Sequence, residues 1–94
     1  MEIREFQKLI KDIYYSRDKE RGVERTLLWL VEEVGELAEA IRKNKNIGEE
    51  IADIIAWTVS IANLCNVDVE RELLRKYPNF CLKCGKNPCE CKED

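Results

Sequence analysis

"LLWLVEEVGELAEAIRK", residues 27–43, is the stretch whose reading decides the fold. Leu27, Leu30, Val31, Val34, Leu37, Ala38 and Ile41 recur at helical spacing and form one apolar stripe, with Trp29, Glu33, Glu36 and Ala40 on a face beside it. The same helix carries Glu32, Glu33, Glu36 and Glu39 close together and sets Gly35 among them. Like charges three or four apart on a helix repel, and an interior glycine costs about 1 kcal/mol relative to alanine. Something outside the helix must offset both penalties.

The flanking sequence extends the helical reading in both directions. Residues 2–17, "EIREFQKLIKDIYYSR", space Phe6, Leu9, Ile10, Ile13 and Tyr14 as one face of an amphipathic helix. The stretch "DKERG" ends that helix, with Gly22 as the break before the second helix, which runs from about Val23 to Asn44. Asn46 and Glu49 have the spacing of a capping box for a third helix reaching about Cys65. Asp68 has the character of an N-cap for a short fourth helix that ends near Tyr77, ahead of Pro78. The expected fold is all-α: three long helices and a short fourth in a small bundle completed by oligomerisation. The helical domain is expected over residues 1–77, with a Cys-rich segment over 78–94.

Composition narrows the chemistry. A chain of 94 residues, 45% apolar and 37% charged, buries only a modest core by itself and gains from a partner subunit. The sequence shows no leader pattern and no apolar run near the roughly 20 residues that span a bilayer, so the expected location is the cytoplasm, with no membrane partner. The net charge of -3 and the scattered basic residues give no footprint for duplex nucleic acid. Histidine is absent, which removes Ser-His and Cys-His nucleophile pairs and leaves carboxylates, amines and thiols.

The third helix carries the most information. In "IADIIAWTVSIANLC", residues 51–65, Asp53 is the only charged residue, so burial of the helix draws a carboxylate inward. An ionised carboxylate removed from water needs a cation, a hydrogen-bond network or a metal. Glu50 precedes Asp53 by one turn, and Trp57 follows by one turn. Glu33 and Glu36 repeat the same spacing on the second helix. In an antiparallel hairpin turning near Lys45, Glu36 and Asp53 both stand about 12 to 14 Å from the bend, so the two pairs face each other at one height. Four converging carboxylates call for a hard divalent cation, and Mg²⁺ fits because it takes oxygen ligands and shares its remaining positions with substrate phosphates. Gly35 is expected to admit the close approach of a helix or ligand.

At these residues the sequence resembles a known family. Glu-x-x-Glu, 13 intervening residues, then Glu-x-x-Asp, formed by Glu33, Glu36, Glu50 and Asp53, is similar to the signature of the MazG-type nucleoside triphosphate pyrophosphohydrolases, members of the all-α NTP pyrophosphatases. The likeness runs through "RTLLWLVEEVGELAEAIRK" and "EEIADIIAWTVSIAN", and more loosely over residues 1–77. It implies hydrolysis of an NTP between its α and β phosphates to NMP and pyrophosphate, by a water that Mg²⁺, or Mn²⁺ in its place, activates toward the α-phosphorus. The resemblance also implies a homodimer or a dimer of dimers. Glu33 is the first choice to orient or deprotonate the water and Glu32 the second. Arg25, Lys43 and Lys76 are available to the triphosphate, Lys76 by resemblance to a basic residue that follows the third helix in the family. Trp57 is placed to stack on a base, as aromatic residues near the site do in relatives, or to pack in the core. Here "RKYP" runs almost at once into the cysteines, a departure that bears on Lys76.

Those cysteines, Cys81, Cys84, Cys89 and Cys91, follow the spacing C-x2-C-x4-C-x-C. Four thiols in this pattern suit a structural Zn²⁺ site, with disulfides and free thiols as alternatives. Cys65 reads as a small apolar residue. A second functional reading also stands: a non-catalytic helical dimer that senses nucleotides, or that binds a protein or nucleic acid through the Cys-rich tail.

Overall fold

In the computed structural model, which describes residues 1–92, the chain forms four α-helices and, among the described residues, no strand. They are α1 (Ile3–Arg21), α2 (Val23–Lys43), α3 (Ile47–Leu64) and α4 (Val69–Lys76). The all-α expectation holds, with a cysteine cluster after the last helix. Glu93 and Asp94, the end of the expected tail, lie outside the described residues. No single helix among the described residues is long and apolar enough to cross a membrane.

Each helix boundary has a local cause. The first helix continues through the charged residues Asp18 to Arg21 and stops only at Gly22, whose φ of 88° glycine adopts at little cost. The Gly22 N–H donates to the Asp18 carbonyl at 2.8 Å, and the Gly22 carbonyl accepts from both the Thr26 N–H and, at 2.7 Å, the Thr26 hydroxyl. Between α2 and α3 the turn is tight, with Asn44 and Asn46 both left-handed at φ of 52° and 62°. That conformation corrects the capping-box expectation: Asn46 makes no side-chain cap bond, because an N-cap side chain reaches the N3 amide from extended backbone. Asp68 does cap α4, accepting from the Arg71 N–H at 3.2 Å.

Helix α3 lies at the centre, against α2 on one side and α1 on the other. Gln7 and Asn63 lock α1 to α3: the Gln7 amide donates to Asn63 Oδ1 at 3.1 Å, and Asn63 Nδ2 donates back to the Gln7 carbonyl at 3.3 Å. Gln7 also donates to the Val67 carbonyl and accepts from the Val69 N–H, which seats the start of α4. Asn63 is thus satisfied within the bundle. Arg4 adds ion pairs to Asp68 and Glu70.

The packing of α2 is the informative surprise. The seam that meets α3 runs through Thr26, Leu30, Glu33, Leu37 and Ala40, all buried or half-buried at alternating four- and three-residue steps. Much of the apolar stripe read from the sequence faces outward instead: Leu27, Val31, Val34 and Ile41 are 50–60% exposed. Only Ile10, Ala40, Val59 and Ala62 are fully buried apolar residues among those described. One chain therefore forms a thin core and displays a broad apolar face. Gly35 has open space where a side chain would be, so no element of the same chain approaches it closely.

Candidate active site

The α2 seam carries Glu33 inward, and α3 brings Glu50 and Asp53 to meet it. A carboxylate oxygen from each of Glu33, Glu50 and Asp53 lies within 4.8 Å of the other two. Glu33 Oε2 and Glu50 Oε2 are shut off from solvent and have no hydrogen-bond partner. Burial raises the Glu33 carboxyl above its ordinary range, and the neighbouring charges of Asp53, Glu36 and Glu50, together with a carboxyl–carboxyl contact to Glu50, push it the same way. Three anionic groups with two desolvated, unpaired oxygens are unfavourable alone. The same all-oxygen donor set is what a hard divalent cation takes, so the residues present fit such an ion.

Glu36 stands at the edge of this group. Its charge acts on Glu33, and it lines a groove of about 410 Å³ with Glu50, Lys43, Lys45 and Glu39. Lys43 is held by Glu39 at 3.2 Å. Lys45 comes from the turn and was not singled out in the sequence; its signal is its place at the hairpin bend, beside the first turn of α3. Glu32 is exposed, one position around the helix from Glu33.

The remaining sequence candidates are distributed differently. Trp57 stacks against Trp29, with ring centroids 6.2 Å apart and planes 13° from parallel, one helical turn from Asp53 and Glu33 respectively. Arg25 is exposed on the first turns of α2. Lys76, exposed at the end of α4, lies over the Tyr77 ring at 5.8 Å and lines a groove with the cysteine segment rather than with the acidic residues.

Arg21 is a further residue that sequence reasoning missed. Its guanidinium lies 4.9 Å from the centre of the Trp57 ring and pairs with Asp18 at 2.8 Å, and its Nη1 also donates to the Thr26 hydroxyl at 3.3 Å. Asp18 is 2% exposed, one of the most buried side chains described. The available signal was register: Asp18 lies two turns on from the buried Ile10, so a carboxylate occupies a core position with Arg21 one turn further along the same face.

Cys81, Cys84, Cys89 and Cys91 form a second convergence, with four sulfur atoms all within 4.8 Å of one another. Amide hydrogen bonds from Cys84 and Lys83 bring the Cys81 thiol down to about 6. The donor sets of both clusters are able to hold metal ions, a hard one at the carboxylates and a soft one at the thiols.

Residues 21–81 match the sequence model of the MazG nucleotide pyrophosphohydrolase domain. The matched segment begins at Arg21 and contains Glu33, Glu36, Glu50 and Asp53. No curated protein matches the chain.

Proposed function

The chain belongs to the MazG nucleotide pyrophosphohydrolase domain family, and from that premise we propose that it hydrolyses nucleoside or deoxynucleoside triphosphates to the monophosphate and pyrophosphate at the cluster of Glu33, Glu36, Glu50 and Asp53. One observation carries the reading: Glu33 Oε2 and Glu50 Oε2 are buried, unpaired and grouped with Asp53. Orphaned carboxylate oxygens cost several kcal/mol unless a cation joins them, and Mg²⁺, or Mn²⁺ in its place, suits oxygen donors that must also share the ion with phosphates. When bound, the ion neutralises phosphate charge and acidifies water.

The side chains divide the remaining work. Glu33, raised in proton affinity, orients the attacking water toward the α-phosphorus and takes its proton, leaving pyrophosphate to depart. Glu32 is the second choice and faces solvent. Lys45 and Lys43 supply positive charge in the groove beside Glu36 and Glu50, where it holds the triphosphate in place. Trp57, with Trp29 against it, offers an aromatic surface for a base. Arg25 and Lys76 are further proposed contacts; Lys76 sits in the other groove and so acts only on a substrate that extends there.

The helical unit over residues 1–77 performs this chemistry, and residues 78–94 form an appendage. A second copy of the chain is the proposed partner for the apolar face of Leu27, Val31, Val34 and Ile41, since one chain leaves that face uncovered.

The test is incubation of the full chain with each NTP and dNTP in Mg²⁺, with products resolved by anion exchange and Asp53→Ala run beside it. Monophosphate plus pyrophosphate, lost in the variant, is the expected result. Diphosphate plus phosphate, or no turnover by a folded, metal-replete sample, overturns it; nucleotide binding without turnover would then indicate the sensing role.

A further inference from the structure

The cysteine segment has a structure that its own side chains do not explain. After Lys76 the described chain has no further helix, and its three large apolar residues, Tyr77, Phe80 and Leu82, are 68%, 48% and 57% exposed. Fifteen residues without a core need a cross-link to hold one conformation.

The sulfur positions identify the kind of cross-link. Cys81 Sγ lies 3.7 Å from Cys91 Sγ, and Cys84 Sγ lies 3.9 Å from Cys89 Sγ. Four sulfurs at about 2.3 Å from one tetrahedral metal stand about 3.8 Å apart along each edge. Bonded sulfurs in a disulfide stand about 2.05 Å apart. The spacing is that of ligands around a common centre, and each close pair joins one half of the segment to the other.

Backbone conformation supports the same centre. Gly85, at φ 74°, lets the chain reverse after Cys84, with its N–H donating to the Cys81 carbonyl at 2.6 Å and the Cys81 N–H donating to the Lys86 carbonyl at 2.9 Å. Glu90 N–H points at Cys84 Sγ at 3.4 Å, and Cys91 N–H at Cys89 Sγ at 3.3 Å. Amide donors aimed at sulfur are the outer contacts that hold and orient a metal's sulfur ligands. Asn87 Nδ2 donates to the Asn79 carbonyl at 2.7 Å and closes the base of the loop. Four thiolates and a divalent ion carry a net double negative charge, and Lys83 and Lys92 lie in the same short segment, beside Lys86, which pairs with Glu90 at 3.1 Å.

We infer that Cys81, Cys84, Cys89 and Cys91 bind one structural Zn²⁺ that holds residues 78–92 in one conformation after α4. The family match includes only the first of these four cysteines, so the centre is a feature of this chain beyond the hydrolase reading and independent of it. Soft thiolates select against Mg²⁺ and Ca²⁺, and a closed set of four leaves no open position for catalysis. Its role is architectural: Cys81 and Cys89 form part of a groove of about 800 Å³ facing Lys76 and Tyr77.

The test is elemental analysis of the full chain purified under reducing conditions without added chelator, followed by cobalt substitution. About one zinc per chain, and tetrahedral cobalt–thiolate absorption after exchange, are expected. Cys84→Ser should lose most of the zinc, whereas Cys65→Ser, outside the cluster, should retain it. A mass lowered by the loss of four thiol hydrogens, stoichiometric iron instead of zinc, or immediate reaction of all five thiols in the presence of zinc would each overturn the inference.

Discussion

Trp29 and Trp57 stack across the α2–α3 seam at 6.2 Å, each one helical turn from a carboxylate of the acidic cluster. They are the only two tryptophans in the chain, so intrinsic fluorescence reports directly on this region. Mg²⁺ together with a nucleotide should shift or quench the emission in a saturable way. Trp57→Phe should remove most of that response, and Asp53→Ala should abolish the part that depends on the ion. A titration that leaves the spectrum unchanged while substrate is turned over would show that base and metal act away from the pair.

Glu33 gives a pH prediction with a definite sign. Burial, reinforced by Asp53, Glu36 and Glu50, raises its folded-state proton affinity above that of the unfolded chain. The native state therefore holds the proton more tightly, and the associated stability is present below the ordinary carboxylate range and lost as pH rises through the raised folded value. At neutral pH the metal-free protein should be less stable than in mild acid, as far as this group is concerned. Glu33→Gln should melt higher than the parent at neutral pH without metal, and Mg²⁺ should raise the melting temperature of the parent more than that of the variant. Thermal melts across pH, with and without Mg²⁺, check both statements.

The helices and the acidic cluster were legible in sequence because both follow from local periodicity. Gly22, Asn44 and Pro78 punctuate three amphipathic runs, and the repeated i, i+3 carboxylate spacing sets two acidic pairs facing each other across the hairpin. Equal distance from the bend levels Glu36 with Asp53, whereas Glu33 is the α2 carboxylate that groups with Glu50 and Asp53 and Glu36 stands at the edge. What the pattern could not show was which face of α2 meets α3. Counting apolar residues favours the stripe through Val31 and Val34, yet the packed seam runs through Thr26, Glu33 and Ala40. A helix that has an apolar face and a second, functional face presents two candidate interfaces, and only the tertiary arrangement assigns them. Asn46 occupies the N-cap position without a side-chain cap bond for a similar reason: its backbone in the tight turn is left-handed, which composition does not reveal.

Asp18 and Arg21 form a pair whose partners should not be separable. Asp18 is nearly fully buried, and Arg21 is its ion-pair partner as well as a donor to Thr26. Removing one charge from a buried pair typically costs about 3 kcal/mol or more, because the other is left uncompensated. In a domain of this size that corresponds to a fall of roughly 12 °C or more in melting temperature. Arg21→Ala should show that loss, and adding Asp18→Asn should recover part of it. Additive losses in the double variant would mean that Arg21 acts through its contact with Trp57 instead.

The groove formed at the α2–α3 turn separates binding from chemistry. Lys45 lines it beside Glu36 and Glu50, and under the proposed function its charge acts on the substrate's phosphates equally in the ground and transition states. Interactions of that uniform kind affect KM and leave kcat nearly unchanged. Lys45→Ala should therefore raise KM by about tenfold, equivalent to about 1.4 kcal/mol, with kcat within a small factor of the parent. Glu50 belongs to the set with orphaned oxygens, so under the proposed function loss of its charge weakens the cation site itself. Changes one step removed from a metal cost about 10- to 100-fold, so Glu50→Gln should lower kcat/KM by more than about 100-fold, with partial recovery at high Mg²⁺ or Mn²⁺. Steady-state pyrophosphate release across both substrate and metal concentration distinguishes the two. A Lys45 variant with unchanged KM would place the phosphates elsewhere, and a Glu50 variant with unchanged metal dependence would remove Glu50 from the ion's ligands while leaving the family assignment intact.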